Sequence, residues 1–275
     1  MNQIHQISDY RSRFGLHATP FTREIKVSDR FVIPDHEKVL EHLLAVVDQR
    51  QSAALIAPPG TGKTTLLRAL MDRLPETRYR LHYVKVTDLS KRDLCREVAA
   101  AMGCQFSGTY PALVRRLQER FASTLDTDGL RPVLVLDEAH DIRPEVLGIL
   151  RLVTNYEMDS RLVVSLVLAG QSPLGKLLGH ERLRDVAQRL AHYATLKPLS
   201  RADAKEYLEH RCRIAGASSC PFDRQALESI YEIGRGNLRA TGHLARKALE
   251  LAHQANSDTV DNNHVIAARG MILCA

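Results

Sequence analysis

The segment Ala57-Pro58-Pro59-Gly60-Thr61-Gly62-Lys63-Thr64 constrains the fold of this chain more than any other stretch. It stands between a short apolar run, residues 52–57, and a segment whose Leu66, Leu67, Leu70, Met71 and Leu74 share one helical face. Glycines at 60 and 62 let the backbone wrap tightly, so that its N–H groups converge on one point. The helix that follows turns its positive end to the same place. A strand, a glycine-rich turn closed by Lys-Thr and a helix make up the phosphate-binding loop pattern, here with Ala57 where its first glycine stands. On this reading Pro59, Gly60, Thr61, Gly62, Lys63, Thr64 and Thr65 surround the phosphates of ATP. Lys63 adds charge at the β- and γ-phosphates, and the Thr64 hydroxyl faces Mg2+.

The rest of the chain agrees with an α/β sheet domain followed by helices. Residues 81–86 alternate as a strand does, while Val133 to Leu136 and residues 162–169 are continuous apolar runs suited to strands covered on both faces. Residues 193–196 read as a fifth strand. Val39, Leu40, Leu43, Leu44 and Val47 fall on one face of a helix that Asp35 can cap. Ser90 with Asp93 resembles a capping box, and Pro111 suits a first helical turn. After Pro198 only helical signals follow, over 200–215, 223–233, 238–253 and 261–271, with Gly216 and Gly234 as natural stops.

Lys63 is followed 74 residues later by Asp137-Glu138 at the end of the apolar run Val133-Leu134-Val135-Leu136. Ligands of parallel sheets sit at the C-terminal edge of the strands, which is where this run delivers both acids. Asp137 is expected to hold the Mg2+ shell and Glu138 to orient and deprotonate the attacking water. Asp137-Glu138-Ala139-His140 also spells a helicase box, but those helicases need a second lobe that this sequence lacks, so His140 is expected to play a structural part.

Composition narrows the setting. The longest apolar run, 162–169, is far short of the ~20 residues that span a bilayer, and the polar first dozen residues carry no export signal. Five scattered cysteines without a CxxC pair suit a reducing cytosol and speak against structural zinc. A cytoplasmic protein with no membrane partner is the expectation. The net charge of +6 permits a polyanionic partner. With no Trp, stacking on single-stranded bases is not expected.

Together these motifs resemble those of AAA+ ATPases over nearly the whole chain. The resemblance implies a P-loop NTPase fold, a parallel five-stranded sheet sandwiched by helices, with a small C-terminal all-α lid. It divides the chain into an N-terminal extension with an adenine-side loop (1–34), an α/β ATPase domain (35–198) and a helical lid (199–275). It implies further that Phe31, Val32 and Ile33 line the adenine. Gly236-Asn237-Leu238-Arg239 resembles the lid's Gly-Asn-Pro-Arg pattern and makes Arg239 a sensor for the γ-phosphate, while Gln171 matches the polar sensor after the fourth strand. A finger arginine from a neighbouring subunit is implied before the last strand. Arg189 ranks first and Arg182 second, with Arg184 in the same stretch.

A narrower resemblance rests on Phe14-Gly15-Leu16, Pro20-Phe21, residues 167–171, Leu196-Lys197-Pro198-Leu199-Ser200 and Tyr207-Leu208-Glu209-His210-Arg211. It is to the branch shared by ExeA-like secretion ATPases and transposition ATPases of the TnsC, TniB and MuB kind. The secretion version continues into a membrane helix and a peptidoglycan-binding domain, so the length of 275 residues favours transposition. That branch implies a sequence-independent grip on double-stranded DNA, self-assembly as a hexamer or helical filament, and service to a transposase, with or without an adaptor. The gripping region would be 88–118, with Lys91, Arg92 and Thr109 leading. Phosphate contacts repeated along an assembly make a strong local patch unnecessary. The terminal segments 1–20 and 271–275 are where a protein partner is expected to meet the chain. Three alternatives remain open on the sequence alone: a secretion or envelope assembly ATPase, a helicase loader, and a nucleotide switch that binds without hydrolysing.

Overall fold

The computed structural model describes residues 10–105, 107–154 and 161–273. Parts of both terminal segments expected to meet a partner, residues 1–9 and 274–275, lie outside them. The described chain falls into two compact units, residues 34–59 with 63–197, and residues 10–33 with 60–62 and 198–273.

The first unit is built on a parallel sheet. Its strands are β1 (Ser52–Ile56), β2 (Tyr79–Lys85), β3 (Arg131–Asp137), β4 (Ser165–Gly170) and β5 (Leu190–Thr195), in the order β2-β3-β4-β1-β5. All four pairings are parallel, with Lys85 opposite Asp137, Tyr83 opposite Val135, and Ala53 opposite Val167. Strand alternation separates two buried faces. Ala54, Leu134, Leu136, Leu166 and Leu168 pack in one apolar cluster with Leu94, Leu113, Leu117 and Phe121. The last four come from α4 (Lys91–Ala101) and α5 (Tyr110–Asp126), which follow α1 (Tyr10–Arg13), α2 (Pro34–Asp48) and α3 (Lys63–Arg73) in the chain. The intervening Ala53, Leu55, Val133, Val135 and Val167 are equally buried on the opposite face, where α2 packs on β1 and β5. Burial on both faces is why these strands read as unbroken apolar runs, each large side chain contributing about 1.5–3 kcal/mol.

Local rules set the helix ends. Ser90 accepts the Asp93 N–H at the start of α4, and Pro111 occupies the first turn of α5, where its missing N–H is harmless. Short helices α6 (Pro144–Leu147) and α7 (Ile149–Thr154) follow β3, and α8 (Ser172–Leu178) and α9 (Arg184–Ala187) follow β4.

Strand boundaries differ from the sequence reading: β2 begins at Tyr79 rather than 81, and β4 begins at Ser165 rather than 162, since Leu162 is exposed and outside the sheet. The fifth strand begins at Leu190, three residues before the expected 193, because Leu190, His192 and Tyr193 pair with β1 along a sheet edge. The exposed polar positions of that edge hide its period.

The second unit contains α10 (Arg201–Ile214), α11 (Arg224–Gly234), α12 (Leu238–Gln254) and α13 (Asn262–Leu273). Ser200 and Asp203 close a reciprocal capping box on α10, and Asp223 and Asn237 cap α11 and α12. Phe14, Leu16, Phe21 and Ile33 are buried in the same core as Leu208, Ile230, Leu244 and Leu249, so the N-terminal segment is part of this unit. Arg211 fastens it, donating from Nη2 to the Thr22 carbonyl at 2.8 Å.

Candidate functional site

The chemistry collects where β3 ends. Asp137, the last residue of that strand, is 2% exposed, and Glu138 follows in the left-handed region with φ 59°. This non-glycine αL residue turns the chain sharply, and its N–H donates to Asp137 Oδ1 at 2.8 Å. Lys63 opens α3, whose eleven residues aim their N-terminal dipole at the same spot. Lys63 Nζ donates to Asp137 Oδ1, and to Glu138 Oε1 at 3.0 Å. With the side chain of Lys63 8% exposed, an unpaired ammonium here would be strongly unfavourable, so both acids serve as its counter-ions.

The other carboxylate oxygen of Asp137 has different neighbours. Thr64 Oγ1 is 3.5 Å from Oδ2, and the Tyr83 hydroxyl donates to Oδ2 at 3.1 Å. Burial, followed by the charge of Asp137, raises the Tyr83 phenol above its ordinary value and keeps it a donor. His140 lies in the 3₁₀ turn after Glu138, its Nδ1 3.5 Å from Glu138 Oε2 and its Nε2 3.6 Å from Asp141 Oδ1.

Thr64 and Asp137 present hard oxygen donors side by side, which fits Mg2+. That cation takes one or two carboxylates together with phosphate oxygens and water. Among the described residues there is no cluster of three or more His, Cys, Asp or Glu able to hold a metal by protein ligands alone.

Lys63, Thr64, Asp137 and Glu138 thus meet at one point. Gln171 comes directly after β4 as the N-cap position of α8, at the same edge of the sheet. Of the arginines proposed as a finger, Arg182 is paired within its own chain, Nη1 to Glu145 Oε1 at 2.8 Å. Arg189 immediately precedes β5, and its N–H donates to the Val186 carbonyl at 3.1 Å. A cavity of about 270 Å³ lies beside Arg182, lined also by Lys91, Tyr110, Glu145, Arg151 and Asp185. Arg92 Nη2 donates to the Gly108 carbonyl at 3.0 Å and Arg116 Nη1 to the Ser107 carbonyl at 2.9 Å, so both guanidinium groups tie down the loop before α5. Thr109 is the N-cap position of that helix.

In the helical unit, Gly60 and Arg239 are joined through the backbone: the Arg239 N–H donates to the Gly60 carbonyl at 3.1 Å. Gly60 has φ +79°, and a Cβ there would sit 2.4 Å from Asn237 Oδ1, so a side chain at this position would be strained and would push on the Asn237 side chain. Phe31 packs against Tyr207 and His210 at centroid separations of 6.0 and 5.6 Å, while Val32 is 54% exposed. Tyr83 is the site residue that the sequence does not signal, since its place in an ordinary alternating strand carries no mark of its contact with Asp137.

Comparison with known proteins shows what this chain is similar to. The AAA domain family matches residues 47–178. General secretion pathway protein A of Aeromonas hydrophila is 30% identical over 266 residues, covering 94% of this chain and 48% of that protein. The chain therefore spans about half the length of that relative. Among solved structures, Cdc6p from Pyrobaculum aerophilum aligns with a TM-score of 0.70 at 19% identity, over 87% of this chain and 67% of that one. The Orc1 protein of Aeropyrum pernix, in complex with DNA, aligns with a TM-score of 0.67 at 22% identity, over 92% and 68%. At such identities the likeness is one of fold. Residues 47–178 match the AAA domain family, and the chain has the fold of AAA+ proteins.

Proposed function

We propose that this protein hydrolyses ATP to ADP and phosphate with Mg2+, and that it does so in a secretion-pathway or envelope assembly process that acts on protein partners. The meeting of Lys63 with Asp137 and Glu138 at the end of β3 is the observation that carries the hydrolytic part. Mg-ATP, when bound, supplies an activated phosphoryl group. Lys63 would hold phosphate oxygens in place of its carboxylate partners, and Thr64 and Asp137 would hold the cation. Glu138, released from Lys63, accepts a proton from the attacking water. Gln171 and Arg239 are proposed to sense the γ-phosphate, and Arg189, then Arg182, are the proposed fingers toward a neighbouring copy, as the position before β5 suggests. Self-assembly follows if the finger acts in trans.

The process is suggested by the 30% identity to General secretion pathway protein A over almost the whole chain. Because the chain spans about half of that relative, its length does not discriminate against this branch. The transposition reading, with duplex DNA as partner, keeps the support of the +6 charge and of a fold shared with an Orc1 protein bound to DNA. The engagement of Arg92 with the loop before α5 weakens it.

ATP turnover of the protein and of Glu138→Gln, each with and without duplex DNA at low and raised salt, tests both parts. The proposal expects turnover that needs no DNA and falls about 10²–10⁴-fold in the variant. Turnover that depends on DNA and is lost with salt transfers the process to the transposition reading. Equal rates for wild type and variant overturn the hydrolytic assignment.

A further inference from the structure

Resting on the proposed Mg-ATP site, we infer that Tyr83 is a positioning residue, whose hydroxyl holds Asp137 in the orientation that receives the cation. In the parallel pairing of β2 and β3, Tyr83 stands opposite Val135 and Lys85 opposite Asp137. Paired residues of neighbouring strands share a face, so Tyr83 and Asp137 are on the same side of the sheet, one alternation step apart. Only a long side chain crosses that diagonal. Tyr83 does so and donates to Oδ2 at 3.1 Å.

The four contacts of Asp137 divide between its two oxygens. Lys63 and the Glu138 N–H address Oδ1, while Tyr83 and Thr64 address Oδ2. When Lys63 leaves for a phosphate, Oδ1 loses its strongest partner and the carboxylate is free to rotate about its last bond. The backbone N–H restrains one side and Tyr83 the other, so the phenol is the closer of the two side-chain donors that survive the exchange, Tyr83 at 3.1 Å and Thr64 at 3.5 Å. A carboxylate fixed before the cation arrives loses less freedom on binding it. Partners that orient a metal ligand in this way typically change affinity about 10–100-fold when removed.

Tyr83 is 37% exposed, so Tyr83→Phe removes the hydroxyl while keeping the ring and leaving the core alone. The test is titration of a fluorescent ATP analogue into the full chain, in EDTA and then over a Mg2+ series. Wild type is compared with Tyr83→Phe, and thermal melting of the ligand-free proteins is recorded alongside. The expected result is unchanged affinity in EDTA and a Mg2+ half-saturation raised about tenfold, beyond any shift in melting. A role in folding alone would move the melting temperature and leave the Mg2+ dependence where it was. The inference is overturned if wild type and variant respond identically to Mg2+, with the Mg-ATP reading left standing. If the wild type binds no nucleotide, or binds it without regard to Mg2+, that reading falls and the inference falls with it.

Discussion

Lys63 and Arg211 are each 7% exposed, yet the two buried cations do opposite work. Lys63 is held by two carboxylates at the open end of a sheet, partners that a triphosphate can replace oxygen for oxygen. Arg211 donates to the Thr22 carbonyl and lies over the Tyr207 ring at 6.0 Å. A backbone carbonyl and an aromatic face belong to the fold and cannot be exchanged for a ligand. Depth of burial therefore does not separate a chemical cation from a structural one; the replaceability of its partners does.

The sharpest way to break this comparison is to neutralise each cation in turn. Lys63→Met is expected to lower kcat about 10²–10³-fold, and ATP should no longer raise the melting temperature of the variant. A rate near that of wild type would place Lys63 with Arg211 as a structural group. Arg211→Met should leave turnover per folded molecule intact. It should lower unfolding stability by about 1.5–3 kcal/mol, read in urea, because a charge-assisted hydrogen bond between α10 and the N-terminal segment is gone. Lost turnover at full stability would contradict the division.

A gentler probe is a buried group that carries no charge at neutral pH. His82 on β2 faces the Ala101 carbonyl at 3.1 Å and packs on Phe121. Burial holds its pKa below the ordinary 6.5, against the pull of that carbonyl. In the unfolded chain it takes up a proton as pH falls through about 6.5, whereas the folded chain resists. Stability should therefore decline as pH drops below that point and level off once the folded pKa is passed. The melting temperature of His82→Leu should lose that part of the slope between pH 7.5 and 5. An identical slope would mean that other groups set it.

Much of this molecule is legible in the order of its amino acids. Residues 133–136, 52–56 and 165–169 announce buried parallel strands because both of their faces are covered, although the apolar run at 162–164 precedes the strand, and the glycine-rich turn with Lys63 is a local pattern. Asp137-Glu138 follows from an apolar run ending in acids. Tyr83 escapes because its contact spans 54 residues and depends on register between strands, which no local period encodes. The N-terminal segment escapes in the same way. Phe14, Leu16 and Phe21 read as a family mark, and only the fold shows them buried in the helical core. The start of β5 is hidden because an edge strand with exposed positions lacks a clear alternation. Length is a poor guide between secretion and transposition, having no physical content at the site; the relative's identity across the chain weighs more.

Glu138 carries a further consequence through its φ of 59°. A side chain branched at Cβ is strongly disfavoured there whatever its chemistry, so inactive valine or threonine replacements would report backbone handedness and say nothing about proton transfer. Glutamine shares glutamate's unbranched stem and meets the same conformational demand. The turn thus filters this position twice over, once for the shape of the main chain and once for the oxygen it delivers.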